Sequence, residues 1–136
     1  MSSPCLFIAE AGVNHNGSLE RALALVDAAA DAGADVVKFQ TFDAAKLVTA
    51  QARKADYQAV NTGEAGGQLE MLRQLELTVA DHHALLDRCH KRGIRFMSTA
   101  FDAGSLAFLA TLDMPAIKIP SGDITHAPML LQAARL

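Results

Sequence analysis

Charged and hydroxyl-bearing side chains stand at the ends of the short apolar segments of this sequence. They are Glu10, Lys38, Gln40, Thr99, Lys118, Ser121 and Asp123. If those segments are parallel strands, their carboxyl ends meet at one edge of a sheet, where α/β proteins bind their ligands. Two lysines beside hydroxyl groups suit a phosphorylated or carboxylated ligand, because ammonium and hydroxyl groups donate hydrogen bonds to anionic oxygens. The set therefore predicts an anion-binding site.

Side-chain alternation along a strand predicts which way these groups point. Lys38 and Gln40 share one face of their segment, and Lys118 is expected to turn inward in the same way. A lysine inside a barrel is costly unless a carboxylate or a bound anion neutralises it. The sequence leaves both possibilities open, since Glu10 or Asp123 could pair with either lysine as structural support. Both carboxylates are also candidates for general acid–base chemistry or for binding a hydroxyl group, and Asp123 could equally be an ordinary turn residue.

The histidines contribute less to this prediction. His15 follows the first apolar segment and is the histidine best placed for a site. In contrast, His82, His83 and His90 are expected to be solvated or packed on the outer face of one helix. The sequence lacks the glycine-rich loops that cradle nucleotide phosphates, so a nucleotide cofactor is not indicated.

The elements that position these groups alternate between short apolar strands and amphipathic helices, a pattern typical of a parallel sheet covered by helices. The predicted strands are Cys5–Ala11, Asp35–Gln40, Ile94–Thr99 and Ala116–Ile119. The predicted helices run from the N-cap Ser18 to Ala32, from the capping box that starts at Thr78 to Arg92, over residues 104–112, and onwards from a first turn that holds Pro128. Glycines within residues 43–77 favour a loop there.

A faint internal repeat supports successive strand–helix units. Thr41-Phe42-Asp43-Ala44 follows the second predicted strand, and Ala100-Phe101-Asp102-Ala103 follows the third. The chain has 136 residues, whereas a complete (β/α)8 TIM barrel takes about 250. The predicted fold class is therefore α/β, with about the first four βα units of a TIM barrel. A small four-stranded open sheet is the alternative.

Composition limits the function further. The chain has 12 basic and 15 acidic side chains and a net charge of -3, which argues against nucleic-acid binding. Its two cysteines, Cys5 and Cys89, match no metal or redox spacing and favour a reducing compartment. A secretory signal and an apolar stretch of about 20 residues are both lacking, so we expect a cytoplasmic protein without a membrane partner.

Longer motifs in this sequence resemble the sialic acid (N-acetylneuraminate) synthase family, together with legionaminate and related nonulosonate synthases. The motifs cover Ile8–Gly17, Val37–Phe42, Lys54–Gln58, Asn61–Glu64, Gln68–Met71, Ser98–Asp102 and Lys118–Asp123. The resemblance implies a TIM-barrel enzyme that condenses phosphoenolpyruvate with an N-acetylated hexosamine such as N-acetylmannosamine. A divalent metal, manganese or magnesium, polarises the aldehyde of the open-chain sugar. C3 of phosphoenolpyruvate attacks that carbon, water adds at C2, and phosphate leaves by C–O cleavage.

The resemblance also implies a role for each residue at the strand ends. Phosphoenolpyruvate contacts Lys38, Thr99, Lys118 and Ser121. The sugar contacts Glu10, Gln40 and Asn61. The catalytic residues are Glu10, Lys38, Lys118 and Asp123. Asp123 stands where the family usually has Glu, and it would help to handle the attacking water from a side chain one methylene shorter.

The resemblance implies that residues 1–136 are the N-terminal portion of the synthase domain, without the second half of the barrel. The family's metal-binding histidines lie beyond Leu136, as does a small antifreeze-like domain that serves the partner subunit's site in a homodimer. We therefore expect no metal ligand in this chain and no activity of the chain alone. Two alternatives stay open. The chain could be a non-catalytic remnant or binding module that self-associates through open sheet edges, or a related phosphoenolpyruvate-dependent synthase acting on a sugar phosphate.

Overall fold

The computed structural model of the chain describes residues 5–48 and 67–136. Within these ranges three strands, β1 (Ile8–Gly12), β2 (Val36–Thr41) and β3 (Arg95–Ala100), form one parallel sheet in that order. The helices are α1 (Leu19–Asp31), α2 (Ala44–Leu47), α3 (Gln68–Arg73), α4 (Val79–Arg92), α5 (Ala103–Leu109) and α6 (Ala127–Ala133), with a 3-10 turn at Ser121–Asp123. None of these helices is both long and apolar enough to cross a membrane. The predicted parallel α/β class is confirmed.

Side chains at the helix ends explain where α1 and α4 begin and stop. Ser18 caps α1 by accepting a hydrogen bond from the backbone N–H of Arg21. Thr78 and Asp81 form a capping box at the start of α4, in which each side chain accepts a hydrogen bond from the backbone N–H of the other. Gly93 follows α4 with a φ of 68°, in the left-handed region that glycine adopts at little cost. Both predicted N-caps are confirmed.

Helices α1 and α4 lie side by side on one face of the sheet and bury its apolar side chains. Val37 and Phe39 of β2 and Phe96 of β3 point to that face and are at most 2% exposed. Their partners on the two helices are Ala22, Val26, Leu85 and Cys89. Each large apolar side chain buried in this way contributes about 1.5–3 kcal/mol. Lys38 and Gln40 alternate with Val37 and Phe39, so they are left on the opposite face, as the alternation predicts.

The predicted fourth strand at Ala116–Ile119 is wrong. Among the described residues, no backbone hydrogen bond joins this segment to β3. Lys118 is exposed, and its Nζ donates a hydrogen bond to the carbonyl oxygen of Ile119 at 2.7 Å, which occupies an acceptor that a neighbouring strand would use. Pro115 and Pro120 flank the segment, so it is bounded by residues without an N–H to donate. The prediction that Lys118 turns inward is also wrong, because Lys118 is exposed and its segment does not join the sheet.

Two short helices, α2 and α3, lie within the described parts of residues 43–77, where the sequence predicted a loop. Asp43 caps α2 by accepting a hydrogen bond from the backbone N–H of Ala45. Gly67 takes the N-cap position of α3, which glycine tolerates. The loop prediction is wrong over Ala44–Leu47 and Gln68–Arg73, because a glycine that flanks a helix does not prevent the helix from forming. Residues 49–66 lie outside the described residues.

A buried polar network lies between α4 and the sheet, and it includes His82. The prediction that His82 is solvated or packed on the outer face of its helix is therefore wrong. The His82 side chain is 1% exposed rather than solvated. Nδ1 of His82 donates a hydrogen bond to the carbonyl oxygen of Thr78 at 2.8 Å. Nε2 therefore accepts from the Thr41 hydroxyl at 2.7 Å, and the Thr41 oxygen accepts from the Ser98 hydroxyl at 2.7 Å. Burial lowers the pKa of His82, which favours the neutral ring that this direction of donation requires. The network ties α4 to β2 and β3.

Replacing His82 by alanine should destabilise the fold by about 2–3 kcal/mol, because the Thr41 hydroxyl and the Thr78 carbonyl lose their partner. His83→Ala is the matched control. His83 is exposed, like His90, as predicted, and its removal should change the free energy of unfolding by less than about 0.5 kcal/mol. Urea unfolding at neutral pH measures both variants. Equal losses would contradict the network.

The same variants test the pH dependence of stability. The pKa of His82 in the folded chain lies below its ordinary value of 6.5, so the unfolded chain takes up the proton first as the pH falls. Stability is therefore lost as the pH drops below 6.5. Burial lowers the pKa of His15 as well, so His15 contributes in the same direction. The wild-type chain should lose more stability than His82→Ala over this range, and identical slopes in the two proteins would exclude a role for His82.

Candidate functional site

Four of the predicted site residues lie together on the sheet face opposite α1 and α4. The parallel register places Glu10 beside Lys38 and Gln40 beside Thr99. Because these residues lie toward the carboxyl ends of three adjacent strands, they share one edge of the sheet. Asn61, the third residue assigned to the sugar, lies outside the described residues. The structure thus brings four side chains together, while their chemical roles stay predictions.

Lys38 is neutralised by Glu10. The ammonium and the carboxylate form an ion pair, in which the Lys38 side chain is 15% exposed and that of Glu10 is 50% exposed. The strands set this contact, since the two residues are register partners of β1 and β2. The structural interpretation that the sequence left open, a lysine paired with a carboxylate, therefore holds for Lys38.

Thr99 carries a hydroxyl group that the described residues do not satisfy. Its side chain is 3% exposed, and Oγ1 has no hydrogen-bond partner among them. A buried polar group left unpaired costs about 1–3 kcal/mol, so this oxygen gains more than an exposed one from any ligand that reaches it. Its register partner Gln40 extends the same polar face.

Gly12 provides space beside Glu10. The register between β1 and β2 shifts between these two residues, and Gly12 has a φ of +54°, in the left-handed region. A Cβ at this position would lie 3.1 Å from Oε1 of Glu10 and 3.6 Å from Nε2 of Gln40. Glycine is therefore needed both for the backbone angle and for the close approach of two polar groups that converge over it.

Lys118, Ser121 and Asp123 have their contacts elsewhere. Among the residues that the structure describes, no hydrogen bond or ion pair joins them to the first four. Asp123 lies in the 3-10 turn, with its Oδ1 3.7 Å from Nδ1 of His126, in agreement with the turn residue that the sequence left open. Of the two lysines predicted for the anion site, Lys38 lies on this sheet face and Lys118 does not join it. The roles of Lys118, Ser121 and Asp123 stay predictions.

One buried carboxylate ties the loop after β2 to the loop after β3. The Asp102 side chain is 7% exposed and accepts hydrogen bonds from the backbone N–H of Asp43 at 3.0 Å and from Nζ of Lys46 at 3.3 Å. Asp102 also caps α5 by accepting from the backbone N–H groups of Gly104 at 2.9 Å and Ser105 at 3.0 Å. Asp43, Lys46, Asp102 and Ser105 are together named the Asp102 clasp.

The Asp102 clasp gives the internal repeat a structural meaning. Asp43 and Asp102 occupy the same place in the two repeats, and each caps the helix that follows its strand. Phe42 and Phe101 meet edge to face, with ring centroids 6.5 Å apart. Burial raises the pKa of Asp102, but its hydrogen bonds outweigh burial and hold the pKa below its usual value. A charged clasp therefore fixes the backbone directly after the site residues of β2 and β3.

His15 supports the loop between β1 and α1. The side chain is fully buried and lies against Phe39, and its Nδ1 accepts a hydrogen bond from the backbone N–H of Gly17 at 3.0 Å. Gly17 packs against the backbone of Gln74, because an added Cβ would come within 1.9 Å of the Gln74 carbonyl oxygen. Nε2 of His15 has no partner among the described residues. The structure places His15 on the helix side of the sheet, away from the Glu10–Lys38 pair.

The described residues do not fit a metal site by themselves. No group of three or more His, Cys, Asp or Glu side chains within them could hold a metal ion. The expectation that a divalent metal serves the reaction stays a prediction, and none of the described residues is assigned to it.

Comparison with known proteins identifies the family. The NeuB family model matches residues 25–136. The chain belongs to the NeuB family. It is 51% identical over 98% of its length to the N,N'-diacetyllegionaminic acid synthase of Legionella pneumophila, and 47% identical over 96% to that of Campylobacter jejuni. The sialic acid synthetase of Leptospira borgpetersenii, solved in complex with citrate, is 32% identical over 98% of the chain with a TM-score of 0.79.

This NeuB-family chain spans only part of each relative. It covers 37% and 39% of the two legionaminic acid synthases and 42% of the Leptospira chain. The predicted family and fold class are confirmed, since the chain matches sialic acid and related nonulosonate synthases and shares part of their TIM-barrel fold. The assignment of residues 1–136 as the N-terminal portion of a synthase domain stays a prediction.

Gly12→Ala should destabilise the NeuB-family chain by about 1–2 kcal/mol through backbone strain. A steric contact between the added Cβ and Oε1 of Glu10 should lower the stability further. Gly33→Ala is the matched control. Gly33 has a φ of +77°, and nothing lies within 4 Å of an added Cβ, so that variant suffers strain alone. Urea unfolding should show the larger loss for Gly12→Ala, and the ¹³C resonance of the Glu10 carboxyl should move in that variant only. Equal losses with an unmoved resonance would contradict the close packing.

Asp102→Ala should lower the free energy of unfolding by about 2 kcal/mol or more, because one helix cap and the bonds between two loops are lost. Asp87→Ala, at an exposed position of α4, is the matched control and should change it by less than about 0.5 kcal/mol. The lowered pKa of Asp102 means that its contribution is present above the ordinary value of 3.8 and is lost as the pH falls through the lower folded value. The difference in the free energy of unfolding between wild type and Asp102→Ala should therefore become smaller at acidic pH. A constant difference would argue against a charged clasp.

Proposed function

We propose that this chain contributes part of the active site of a nonulosonate synthase, which condenses phosphoenolpyruvate with an N-acetylated hexosamine. The observation that carries the proposal is the buried, unpaired hydroxyl of Thr99, which shares the polar sheet face with Gln40 and the Lys38–Glu10 pair. Family membership supports the reaction class, because the relatives are named as synthases of nonulosonates.

The anionic substrate is assigned to Lys38 and Thr99. An ammonium and a hydroxyl group donate hydrogen bonds to phosphate or carboxylate oxygens, and a ligand oxygen beside Thr99 would relieve the cost of its unpaired hydroxyl. Lys118 and Ser121 complete this half of the proposal as further contacts to phosphoenolpyruvate, as the family resemblance implies.

The sugar is assigned to Glu10, Gln40 and Asn61. A carboxylate accepts hydrogen bonds from sugar hydroxyls, and a side-chain amide both donates and accepts. C3 of phosphoenolpyruvate forms the new bond to the sugar aldehyde carbon, water adds at C2, and the C–O bond to phosphate breaks. Asp123 would orient that water or take up its proton.

The acceptor is proposed to be N-acetylmannosamine or an N,N'-diacetylated hexosamine. The Legionella and Campylobacter relatives are named for a product with two N-acetyl groups. Phosphoenolpyruvate contains no nitrogen, so an acceptor that leads to such a product must already carry both groups. A cytoplasmic location and a homodimer of the full-length protein belong to the same proposal.

Phosphate release tests the condensation. The full-length protein that contains this segment is mixed with phosphoenolpyruvate, manganese and either acceptor, and inorganic phosphate is measured. Release should require both substrates and should be abolished by Lys38→Met. No release with either hexosamine would count against the proposed reaction.

Thr99→Val tests the assignment of the anion subsite, because it removes the hydroxyl and preserves the side-chain volume. The free energy of unfolding should rise by up to about 1–3 kcal/mol relative to wild type, since the variant loses no described partner and removes the cost of the buried, unpaired hydroxyl. The affinity for phosphoenolpyruvate should fall about tenfold or more, as expected for one hydrogen bond to a charged group. Thr41→Val is the control with the opposite pattern: its hydroxyl bonds His82 and Ser98, so it should lose stability and keep affinity. Unchanged affinity in Thr99→Val would remove Thr99 from the site.

A further inference from the structure

The ion pair between Glu10 and Lys38 joins two residues that the proposed function gives to different substrates. Lys38 is the ammonium of the anion subsite, and its side chain is 15% exposed. A lysine shielded to that extent needs a counter-ion, and the chain supplies one in Glu10 through the pairing of β1 with β2. Glu10 is itself half exposed, so it can leave the pair for solvent or for a ligand without a large loss of burial.

Glu10 also lies next to the subsite assigned to the sugar. Its Oε1 and the Nε2 of Gln40 both converge on Gly12, where a Cβ would lie 3.1 Å and 3.6 Å from them. The carboxylate thus pairs with Lys38 through Oε2, while its Oε1 and the Gln40 amide both approach Gly12. An anion that binds Lys38 must compete with Glu10, since both offer negatively charged oxygens to the same ammonium.

We propose that Glu10 is the built-in counter-ion of Lys38, and that an anion binding at Lys38 displaces it and frees the carboxylate for the hydroxyl groups of the second ligand. The inference rests on the proposed function and adds a coupling between its two subsites. Binding of the anion raises the affinity for the sugar, and by thermodynamic linkage the sugar raises the affinity for the anion by the same factor.

Inorganic phosphate is the probe for the displacement. Its affinity is measured by NMR titration at fixed ionic strength in wild type, Glu10→Gln and Lys38→Met. Removing the competing carboxylate should tighten phosphate binding about fivefold or more, and Lys38→Met should abolish it. Glu20→Gln is the matched control: Glu20 is exposed on the first turn of α1, and loss of its charge should change the affinity by less than about twofold because solvent and salt screen it.

Glu10→Asp covers the case in which Glu10→Gln fails to fold with an unpaired lysine. This variant keeps the net charge and withdraws the carboxylate from Lys38 by one methylene, so phosphate should bind more tightly than in wild type. N-acetylmannosamine supplies the second readout. Its affinity should rise when phosphate is present in wild type, and this rise should be lost in Glu10→Gln.

The outcomes separate the displacement from the proposed function. If Lys38→Met abolishes phosphate binding but both Glu10 variants bind phosphate like Glu20→Gln, the anion subsite stands and the displacement is overturned. If phosphate binds wild type and Lys38→Met alike, or binds neither, the anion subsite fails and the displacement fails with it. Both the anion subsite and the displacement are supported if the Glu10 variants bind phosphate more tightly and phosphate no longer raises the affinity of Glu10→Gln for N-acetylmannosamine.

Discussion

Parallel pairing of β1, β2 and β3 is the constraint on which the polar face of this chain depends. Helices α1 and α4 bury Val37 and Phe39 on one side of β2, so the residues between them must lie on the other. A slip of one residue would exchange the two sets and carry Lys38 into the apolar core. Apolar packing on one face thereby determines where the charge lies on the opposite face, and it places Lys38 beside Glu10.

The two faces of the sheet hold different sets of polar groups. Behind the sheet, the polar groups of His82, Thr41 and Ser98 satisfy one another, and the network adds to stability. On the opposite face, Lys38 is neutralised by a neighbouring strand while the Thr99 hydroxyl stays unpaired among the described residues. A fold tolerates such a group when packing elsewhere outweighs its cost, and sites that bind ligands are where such costs collect. The helix side of the sheet also holds one such atom, since Nε2 of the buried His15 has no partner among the described residues.

The sequence predicted the features that depend on neighbouring residues and missed those that depend on distant ones. Strand alternation placed Lys38 on the correct face, and the capping box of α4 was readable from four consecutive residues. His82 was misplaced because its burial depends on a partner 41 residues away in β2. The role of Asp102 was missed in the same way, since it binds the backbone of a residue 59 positions earlier. The segment Ala116–Ile119 has the composition of a strand, but composition does not supply the neighbouring edge that pairing requires.

The Asp102 clasp also restricts how this segment can diversify. The Asp102 carboxylate binds both the loop after β2 and the loop after β3. An insertion between β2 and Lys46, or between β3 and Ser105, would therefore break a hydrogen bond that holds the two loops together. Insertions and deletions are compatible with the clasp only beyond those two residues. The stretch 49–66 begins just past Lys46, where added length disturbs none of these bonds. The clasp therefore holds the backbone that directly follows β2 and β3, while length changes beyond Lys46 and Ser105 leave its own bonds intact.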